Sequence, residues 1–199
     1  TAPARDNLPV LLALIGVWNR NALGLSSYAV LPYAQDLELL PAYLQQLDME
    51  SNGKSATRDG RPLDGPSAPV TWGGTGTDAQ HAVFQLLHQG TLTVPVEFVA
   101  VGEGEDAQDP EHHRQLLLNA FAQGAALMHG RGSDEPQRHY AGNRPSTTIL
   151  LERLDARSLG ALIAFYEHRT FANAVLTGIN PFDQFGVELG KQIAGQLGA

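Results

Sequence analysis

The sequence predicts a layered α/β domain with a mostly parallel sheet. Short β-branched segments alternate along the chain with longer segments of helical periodicity, which is the pattern of parallel strands joined by helices. With 199 residues, of which 43% are hydrophobic and 17% charged, the chain can bury a sizeable core. No internal repeat or low-complexity tract interrupts the alternation. We therefore expect one domain with helical additions.

The first helix is predicted over residues 10–18. Asn7 can cap it, and Pro9 falls in the first turn, where proline is tolerated. The segment is apolar on nearly every side, so we expect it to be buried on several sides. The chain starts at Thr1, almost directly before this hydrophobic segment. We therefore expect further residues upstream.

A strand, a helix and a loop follow. Residues 28–31 predict a short buried strand. The next helix runs toward Glu50 and ends at the helix-terminating sequence Ser51-Asn52-Gly53. Its apolar positions have helical spacing: Leu40, Tyr43, Leu44 and Leu47. Residues 52–68 are rich in Gly, Pro, Asp, Arg and Ser, and predict a loop.

A glycine-rich turn comes next, between a short strand at 70–72 and a helix that carries His81 and His88. Gly74-x-Gly76-x-x-Ala79 superficially matches a dinucleotide-binding fingerprint. However, the strand is very short, and no clear acidic ribose ligand follows at the expected distance. A flexible strand-to-helix turn is the favoured interpretation, and its backbone amides could bind an anion.

The remaining elements complete the alternation. Strands are predicted at 92–101 and 147–151. Asp109-Pro110 starts a helix that Gly130 ends, and Asp155 opens a long helix. A last helix follows Pro181. The apolar stripes of these three helices are Leu117, Ala120, Phe121, Gly124 and Met128; Leu159, Leu162, Ile163 and Tyr166; and Phe182, Phe185, Leu189 and Ile193.

Composition excludes several classes of function. The chain has no cysteine, which rules out disulfides, thiolate metal sites and a thiol nucleophile, and fits a reducing compartment. A net charge of -8 argues against partners such as nucleic acid or an anionic membrane. The longest apolar run, residues 10–18, is too short to span a bilayer, and no signal-peptide cleavage site follows it. We expect a cytoplasmic protein.

Spacing alone does not decide whether the candidate polar residues are functional or structural. Gln46 and Glu50 share one helical face, and Glu50 at a helix end could be a general base or merely solvated. His81 is predicted in the first turn of its helix, with His88 two turns on along the same face and no carboxylate at metal-ligand spacing. His112 and His113 are predicted on an exposed face. Each histidine taken alone is predicted to be structural.

The polar residues of the last helix could likewise be either functional or merely solvated. Gln184, Glu188 and Lys191 are predicted to form a polar stripe opposite its phenylalanines. A solvated face with a Glu–Lys pair is the default interpretation, and a lysine beside a substrate oxygen is the alternative. No Gly-x-Ser-x-Gly motif and no Walker loop occurs. The residues alone therefore predict an α/β enzyme-like domain with an unassigned pocket.

Five ordered strings resemble the glucose-6-phosphate isomerase (phosphoglucose isomerase) family over nearly the whole chain. They are Met49-Glu50-Ser51-Asn52-Gly53-Lys54; Gln80-His81-Ala82-x-x-Gln85-Leu86-x-His88-Gln89-Gly90-Thr91; Gly142-Asn143-Arg144-Pro145-Ser146; Ser158-Leu159-Gly160-Ala161-Leu162-Ile163-Ala164; and Phe182-Asp183-Gln184-x-Gly186-Val187-Glu188-Leu189-Gly190-Lys191. The first, second and last are long and rich in polar residues. The signal is therefore highly specific.

The resemblance implies a fold and an assembly. The family has two sugar-isomerase (SIS) domains, which are three-layer α/β/α sandwiches with parallel sheets, and it works as a homodimer. Residues 1–199 look like the second SIS domain with the carboxy-terminal helices, without the amino-terminal SIS domain. We expect a fragment of a longer isomerase.

The resemblance also implies an activity and its residues. The family interconverts glucose 6-phosphate and fructose 6-phosphate through a cis-enediolate, with no metal or redox cofactor. Glu50 matches the base that moves a proton between C1 and C2. His81 and Lys191 match the residues assigned to opening the sugar ring, and Gln46 and Gln184 match glutamines that contact the substrate.

Two departures limit this expectation. The family's phosphate-gripping Ser/Thr loop and the arginine that stabilises the enediolate lie upstream of anything in this chain, and the matching histidine comes from the partner subunit. We therefore expect the chain alone to be inactive. The alternatives are a non-catalytic SIS module that binds a sugar phosphate and a protein in which the isomerase is fused to another enzyme. Leu47-Asp48 before Met49, and a short loop at 131–145, are smaller departures.

Overall fold

A computed structural model describes residues 3–104 and 110–198. Its centre is a four-stranded sheet in the order β2-β1-β3-β4. The strands are β1 (Ser27–Tyr33), β2 (Val70–Gly73), β3 (Val96–Glu103) and β4 (Ser146–Arg153). The helices are α1 (Leu8–Val17), α2 (Leu40–Asn52), α3 (Gly76–Ala82), α4 (Phe84–Gln89), α5 (Pro110–His129), α6 (Ala156–Thr177) and α7 (Glu188–Leu197). Short 3₁₀ turns lie at Ala4–Asp6, Gln35–Leu37, Pro136–Arg138 and Phe185–Val187, and a π-helical turn at Trp18–Ala22 follows α1.

All three strand pairs are parallel. β1 is central, since its Ala29 pairs with Trp72 of β2 on one side and with Val96 of β3 on the other. Parallel strands need crossover connections, which the intervening helices supply. The predicted parallel sheet is confirmed.

Two hydrophobic cores cover the two faces of the sheet. Successive residues of β1 point to opposite faces, so Leu31 and Tyr33 enter one core and Val30 enters the other. The first core contains residues of α3, α4 and α5, and the second contains residues of α2 and α6. The architecture is therefore the expected three-layer α/β/α sandwich.

The predicted helix starts at Asn7 and Asp155 are confirmed. The Asn7 side chain accepts a hydrogen bond from the Val10 amide at 3.4 Å. Asp155 and Ser158 form a reciprocal capping box, with two bonds of 2.8 Å. Asp109, predicted to start α5, lies outside the described residues.

Helix α1 is less buried than predicted. Leu8 is 61% exposed, and Leu14 and Ile15 are also exposed, whereas only Ala13 is fully buried. Among the described residues, α6 is the one long element that packs against α1. The prediction of burial on several sides was wrong because an apolar circumference does not fix how many neighbours a helix has.

One strand boundary and one helix face also differ from the prediction. β3 begins at Val96, not residue 92: the preceding Pro95 has no N–H to donate to a neighbouring strand, and the Arg144 guanidinium binds the carbonyls of Gly90 and Leu92 at 2.6 and 3.0 Å. Helix α5 buries Ala120 and Leu127, while Phe121 and Met128 of the predicted stripe are exposed.

The carboxy-terminal segment is the third difference. α7 begins at Glu188, so Phe182 and Phe185 precede the helix that they were predicted to join. The predicted apolar stripe, Phe182, Phe185, Leu189 and Ile193, is exposed. Gln184 likewise lies before α7 and is not part of its polar face.

Candidate active site

Three of the five predicted site residues line one open depression of about 430 Å³. Gln46 and Glu50 enter it from α2, and Gln184 enters it from the segment before α7. The other residues of its wall are Tyr43, Leu47, Ser51, Glu167, Pro181 and Phe182. The depression therefore collects a half-buried carboxylate and two side-chain amides from sequence positions far apart.

Helix α2 presents different residues to its two sides. Gln46 and Glu50 lie four apart and share the face at the depression. Asp48 and Asn52, two positions further along, lie on the opposite face and are buried, at 6% and 5% exposure. They line a second cavity, of about 240 Å³, which none of the predicted site residues enters. The predicted shared face of Gln46 and Glu50 is confirmed.

The end of α2 is fixed by a glycine and a lysine. A Cβ atom on Gly53 would lie 2.2 Å from the Met49 carbonyl oxygen, so only glycine fits where the helix stops. The Lys54 ammonium donates to the Glu50 carbonyl oxygen at 2.9 Å, and it also donates to the Asp183 carbonyl oxygen. It forms an ion pair with the Asp183 carboxylate at 3.0 Å. The helix end is thereby tied to the residue that precedes Gln184.

The segment before α7 is itself a compact turn. The Asn180 amide nitrogen donates to the Asp183 carboxylate at 3.0 Å, and the Asn180 side-chain oxygen accepts from the Phe182 amide at 3.2 Å. These bonds fix the direction in which the chain leaves α6. Gln184 follows directly and lines the depression.

The depression contains a second carboxylate that sequence reasoning missed, Glu167 of α6. Burial raises the pKa of the Tyr43 phenol, and the neighbouring Glu167 raises it further through its charge and a hydrogen bond. The phenol therefore stays protonated and donates to that carboxylate. The sequence signal for Glu167 is only that it follows Tyr166, a position of the predicted apolar stripe. Such a signal is not specific for a site residue.

His81 and Lys191 do not line the depression in this chain. His81 is exposed in the last turn of α3, not in the first turn where it was predicted. The predicted single helix from His81 to His88 breaks at Val83, where α3 ends and α4 begins. Lys191 is exposed on α7, and the described residues show no ion pair between it and Glu188.

Two of the other histidines make structural bonds, as predicted. A ring nitrogen of His88 lies 2.8 Å from the Gln123 amide oxygen, which joins α4 to α5. A ring nitrogen of His113 lies 3.1 Å from the Gly102 carbonyl oxygen, so this ring is part-buried and not on the exposed face that was expected. Within residues 3–104 and 110–198, no group of three or more His, Asp or Glu side chains is placed to hold a metal ion.

The glycine turn after β2 serves packing. A Cβ atom on Gly73 would lie 1.9 Å from the Val30 carbonyl oxygen, and one on Gly76 would lie 2.3 Å from the Tyr33 ring. Close approach to β1 therefore accounts for both glycines. In this strand-to-helix turn, packing thus accounts for Gly76 of the fingerprint-like sequence, whereas a Cβ atom on Gly74 would have nothing within 4 Å. In the same described ranges, no helix has the length and apolar character needed to cross a bilayer.

Comparisons with known proteins agree along the whole chain. The family model described as phosphoglucose isomerase matches residues 1–199. A glucose-6-phosphate isomerase of Rhizorhabdus wittichii is 65% identical over 193 residues, covering 97% of this chain and 39% of that protein. One of Zymomonas mobilis is 59% identical over 193 residues, covering 97% and 38%. The chain thus spans about two fifths of the length of the curated relatives it matches.

Solved structures give the same result for the fold. A glucose-6-phosphate isomerase from Chlamydia trachomatis superposes with a TM-score of 0.94 at 44% identity, covering 98% of this chain and 38% of that chain. A hypothetical protein from Thermus thermophilus superposes with a TM-score of 0.75 at 24% identity, covering 100% of this chain and 46% of that one, which shows the fold alone. The parallel α/β/α sandwich is thus an SIS-type fold, and the chain belongs to the phosphoglucose isomerase family.

Proposed function

We propose that the protein that carries this chain interconverts glucose 6-phosphate and fructose 6-phosphate through a cis-enediolate. The observation that carries the proposal is the depression in which Glu50 lies with Gln46 and Gln184, in a chain whose relatives are glucose-6-phosphate isomerases. No specific observation favours the alternative of a non-catalytic sugar-phosphate-binding module.

Glu50 is the proposed base. Isomerisation of an aldose to a ketose removes the proton on C2 and delivers a proton to C1, and one carboxylate held near both carbons can do both. Gln46 lies one helical turn before Glu50, and Gln184 enters the same depression. Their amides can donate to hydroxyl oxygens and accept from hydroxyl protons, so they suit a sugar held beside the carboxylate.

Lys191 and His81 are proposed to open the sugar ring, a step that takes a proton from the C1 hydroxyl and supplies one to the ring oxygen. Neither lines the depression within one chain, which fits a homodimer in which His81 reaches the partner's site. We place residues 1–199 as the second SIS domain with the carboxy-terminal helices of a cytoplasmic enzyme. The rest of that enzyme would supply a phosphate-binding loop and the cation that stabilises the enediolate.

The isolated 199-residue chain is expected to show little or no turnover of fructose 6-phosphate, whereas the full-length protein is active. Loss of the stabilising cation alone costs roughly 10²- to 10³-fold, because electrostatic stabilisation of the developing charge is often the largest catalytic effect. The measurement is isomerase activity of both proteins at equal concentration, with circular dichroism to establish that the short chain is folded. Appreciable turnover by the folded short chain would contradict the proposal that the active site is divided between this chain and the rest of the enzyme.

Subunit exchange tests the dimeric site. His81→Ala and Glu50→Gln are each expected to inactivate the full-length enzyme. When the two inactive variants are co-expressed with different affinity tags, a mixed dimer has one site with both substitutions and one site with neither. Random pairing then restores about a quarter of the activity of the unsubstituted dimer. Purified mixed dimers without activity would place His81 and Glu50 in the site of the same subunit, or outside it.

A further inference from the structure

Lys54 joins two segments of the candidate active site at a half-buried position. Its side chain is only 14% exposed and that of Asp183 is 28% exposed. Within residues 3–104 and 110–198, its hydrogen-bond and ion-pair partners belong to these two segments: the carbonyl of Glu50 in α2, and the carbonyl and carboxylate of Asp183. A lysine ammonium has three donors, and here three acceptors are present for them.

The two segments joined by Lys54 carry the proposed base and a proposed substrate amide. Glu50 itself provides one acceptor through its main chain, and Asp183 immediately precedes Gln184. Sequence separation between Lys54 and Asp183 is 129 residues, so the contact is purely tertiary. A second link lies close by, where the Arg58 amide donates to the Gly178 carbonyl at 2.9 Å. The hydrogen bond between Arg58 and Gly178 holds residues before the turn, whereas Lys54 holds the turn that leads to Gln184.

We propose that Lys54 is a positioning residue for the isomerase reaction, which sets the distance between the Glu50 carboxylate and the Gln184 amide. The inference rests on the proposed function. Lys54 does not line the depression, and its ammonium lies at the Glu50 main chain and not in the wall of the site. It therefore acts through Glu50 and Gln184.

Charge as well as geometry supports this role. The last carbonyls of a helix have no partners within the helix and carry partial negative charge, so a cation at the end of α2 stabilises that end. In the same place, the Asp183 carboxylate needs a cation because it is only partly solvated. One ammonium meets both demands, and it can do so only while the two segments are in contact. Removing it takes away the hydrogen bonds and the ion pair that join the turn to the helix end.

The test compares four single variants and one double variant of the full-length enzyme. Lys54→Met removes the ammonium and keeps most of the apolar stem, and Lys54→Arg restores donors and charge. Asp183→Asn removes the partner's charge at the same size. Arg61→Met is the matched control, because it breaks an ion pair with Asp59 at 3.0 Å in the same loop, with both side chains well exposed. Each variant is assayed for kcat, for KM, and for the fraction of deuterium carried from C2 to C1 instead of being lost to solvent.

We expect Lys54→Met to lower kcat by roughly 10- to 100-fold, since an error of about 1 Å in placement costs that much. KM should change less than kcat, and the fraction of deuterium carried to C1 should fall, because a misplaced carboxylate holds its proton longer before returning it. Lys54→Arg should recover most of kcat, and Arg61→Met should resemble the unsubstituted enzyme. Adding Asp183→Asn to Lys54→Met should cost little more, because the two residues act together.

Other outcomes would overturn the inference. If Lys54→Met lowers only the melting temperature, with kcat and deuterium transfer unchanged per folded enzyme, the lysine is structural. A loss with Arg61→Met equal to that with Lys54→Met would show a general effect of the loop. Failure of the proposed function would look different, because Glu50→Gln would then keep deuterium exchange at C2. In that case, hydrogen exchange of the backbone amides at Gly53 and within residues 180–184 still tests whether Lys54 joins the two segments. If it does, Lys54→Met must accelerate exchange in both segments.

Discussion

Glutamine in place of Glu50 is expected to lower kcat of the full-length enzyme by roughly 10²- to 10⁴-fold, the usual contribution of a general base. The amide has the size of the carboxylate and can still form hydrogen bonds, but it cannot accept a proton from carbon. Glu50 is half-buried on the face of α2 that lines the depression, and its main chain is held by Lys54. The fold and the affinity for substrate should therefore survive the substitution.

The decisive measurement is exchange of deuterium at C2 of the substrate, because exchange reports proton removal even when product does not accumulate. Glu167→Gln is a matched control, since it neutralises the other carboxylate of the same depression. Its phenol partner Tyr43 can still donate to the amide oxygen, so we expect activity to remain within roughly 10-fold of the unsubstituted enzyme. Glu50→Gln with undiminished exchange would remove Glu50 from the role of base.

The fold was largely predictable because its information is local. Alternating strands and helices indicated the parallel sheet, and the caps at Asn7 and Asp155 are read from neighbouring residues. Boundaries failed where tertiary contacts decided them. The residues before β3 are held by the Arg144 guanidinium, which donates to carbonyls more than fifty residues away, and no local pattern announces that contact.

The candidate site also has a part that neighbouring residues predict and a part that depends on tertiary contacts. Gln46 and Glu50 were placed together correctly because a helix fixes the geometry of positions four apart. Gln184 joins them across more than 130 residues, and the family resemblance, not its spacing, identified it. The position of His81 was misjudged because the helix begins at Gly76, which moves the histidine from the first turn to the last. In a helix of seven residues, a small error in the predicted start is enough to exchange the first turn for the last.

Asp48 illustrates what sequence reasoning could not reach. It was noted only as a departure from the family pattern, yet it belongs to a buried network on the inner face of α2. The Arg169 guanidinium lies 2.7 Å from the Asp48 carboxylate and 3.5 Å from the Glu97 carboxylate. Thr170 donates to Asp48, and Tyr166 donates to Glu97, each at 2.7 Å. The partners come from α2, β3 and α6, so only the folded chain brings them together.

Arginine 169 is the only cation in this network among the described residues. Burial works against its charge, but the Asp48 carboxylate, with Tyr28, Glu97 and Tyr166, raises the pKa of the Arg169 guanidinium above its usual range. Burial, and then the charge of Glu97, raises the pKa of the Tyr28 and Tyr166 phenols. The network therefore sets one guanidinium against the carboxyl groups of Asp48 and Glu97, with the phenols of Tyr28 and Tyr166 protonated.

Methionine in place of Arg169 is expected to lower the free energy of unfolding by about 3–5 kcal/mol, because it leaves two carboxylates buried without a cation. Glu97 is fully buried and Asp48 is 6% exposed, so little of either carboxyl group is in contact with bulk solvent. The measurement is denaturant unfolding of the full-length enzyme. Arg138→Met is the control, since it breaks an ion pair with Glu135 whose side chains are 72% and 66% exposed, and its effect should be small beside that of Arg169→Met.

A second set of variants separates the charge from the lost packing. Adding Asp48→Asn and Glu97→Gln to Arg169→Met removes both unpaired charges while keeping side-chain size. If uncompensated charge is the cause, the triple variant should be more stable than Arg169→Met, although each neutral substitution alone would destabilise the intact network. A triple variant no more stable than Arg169→Met would assign the loss to the cavity left by the guanidinium.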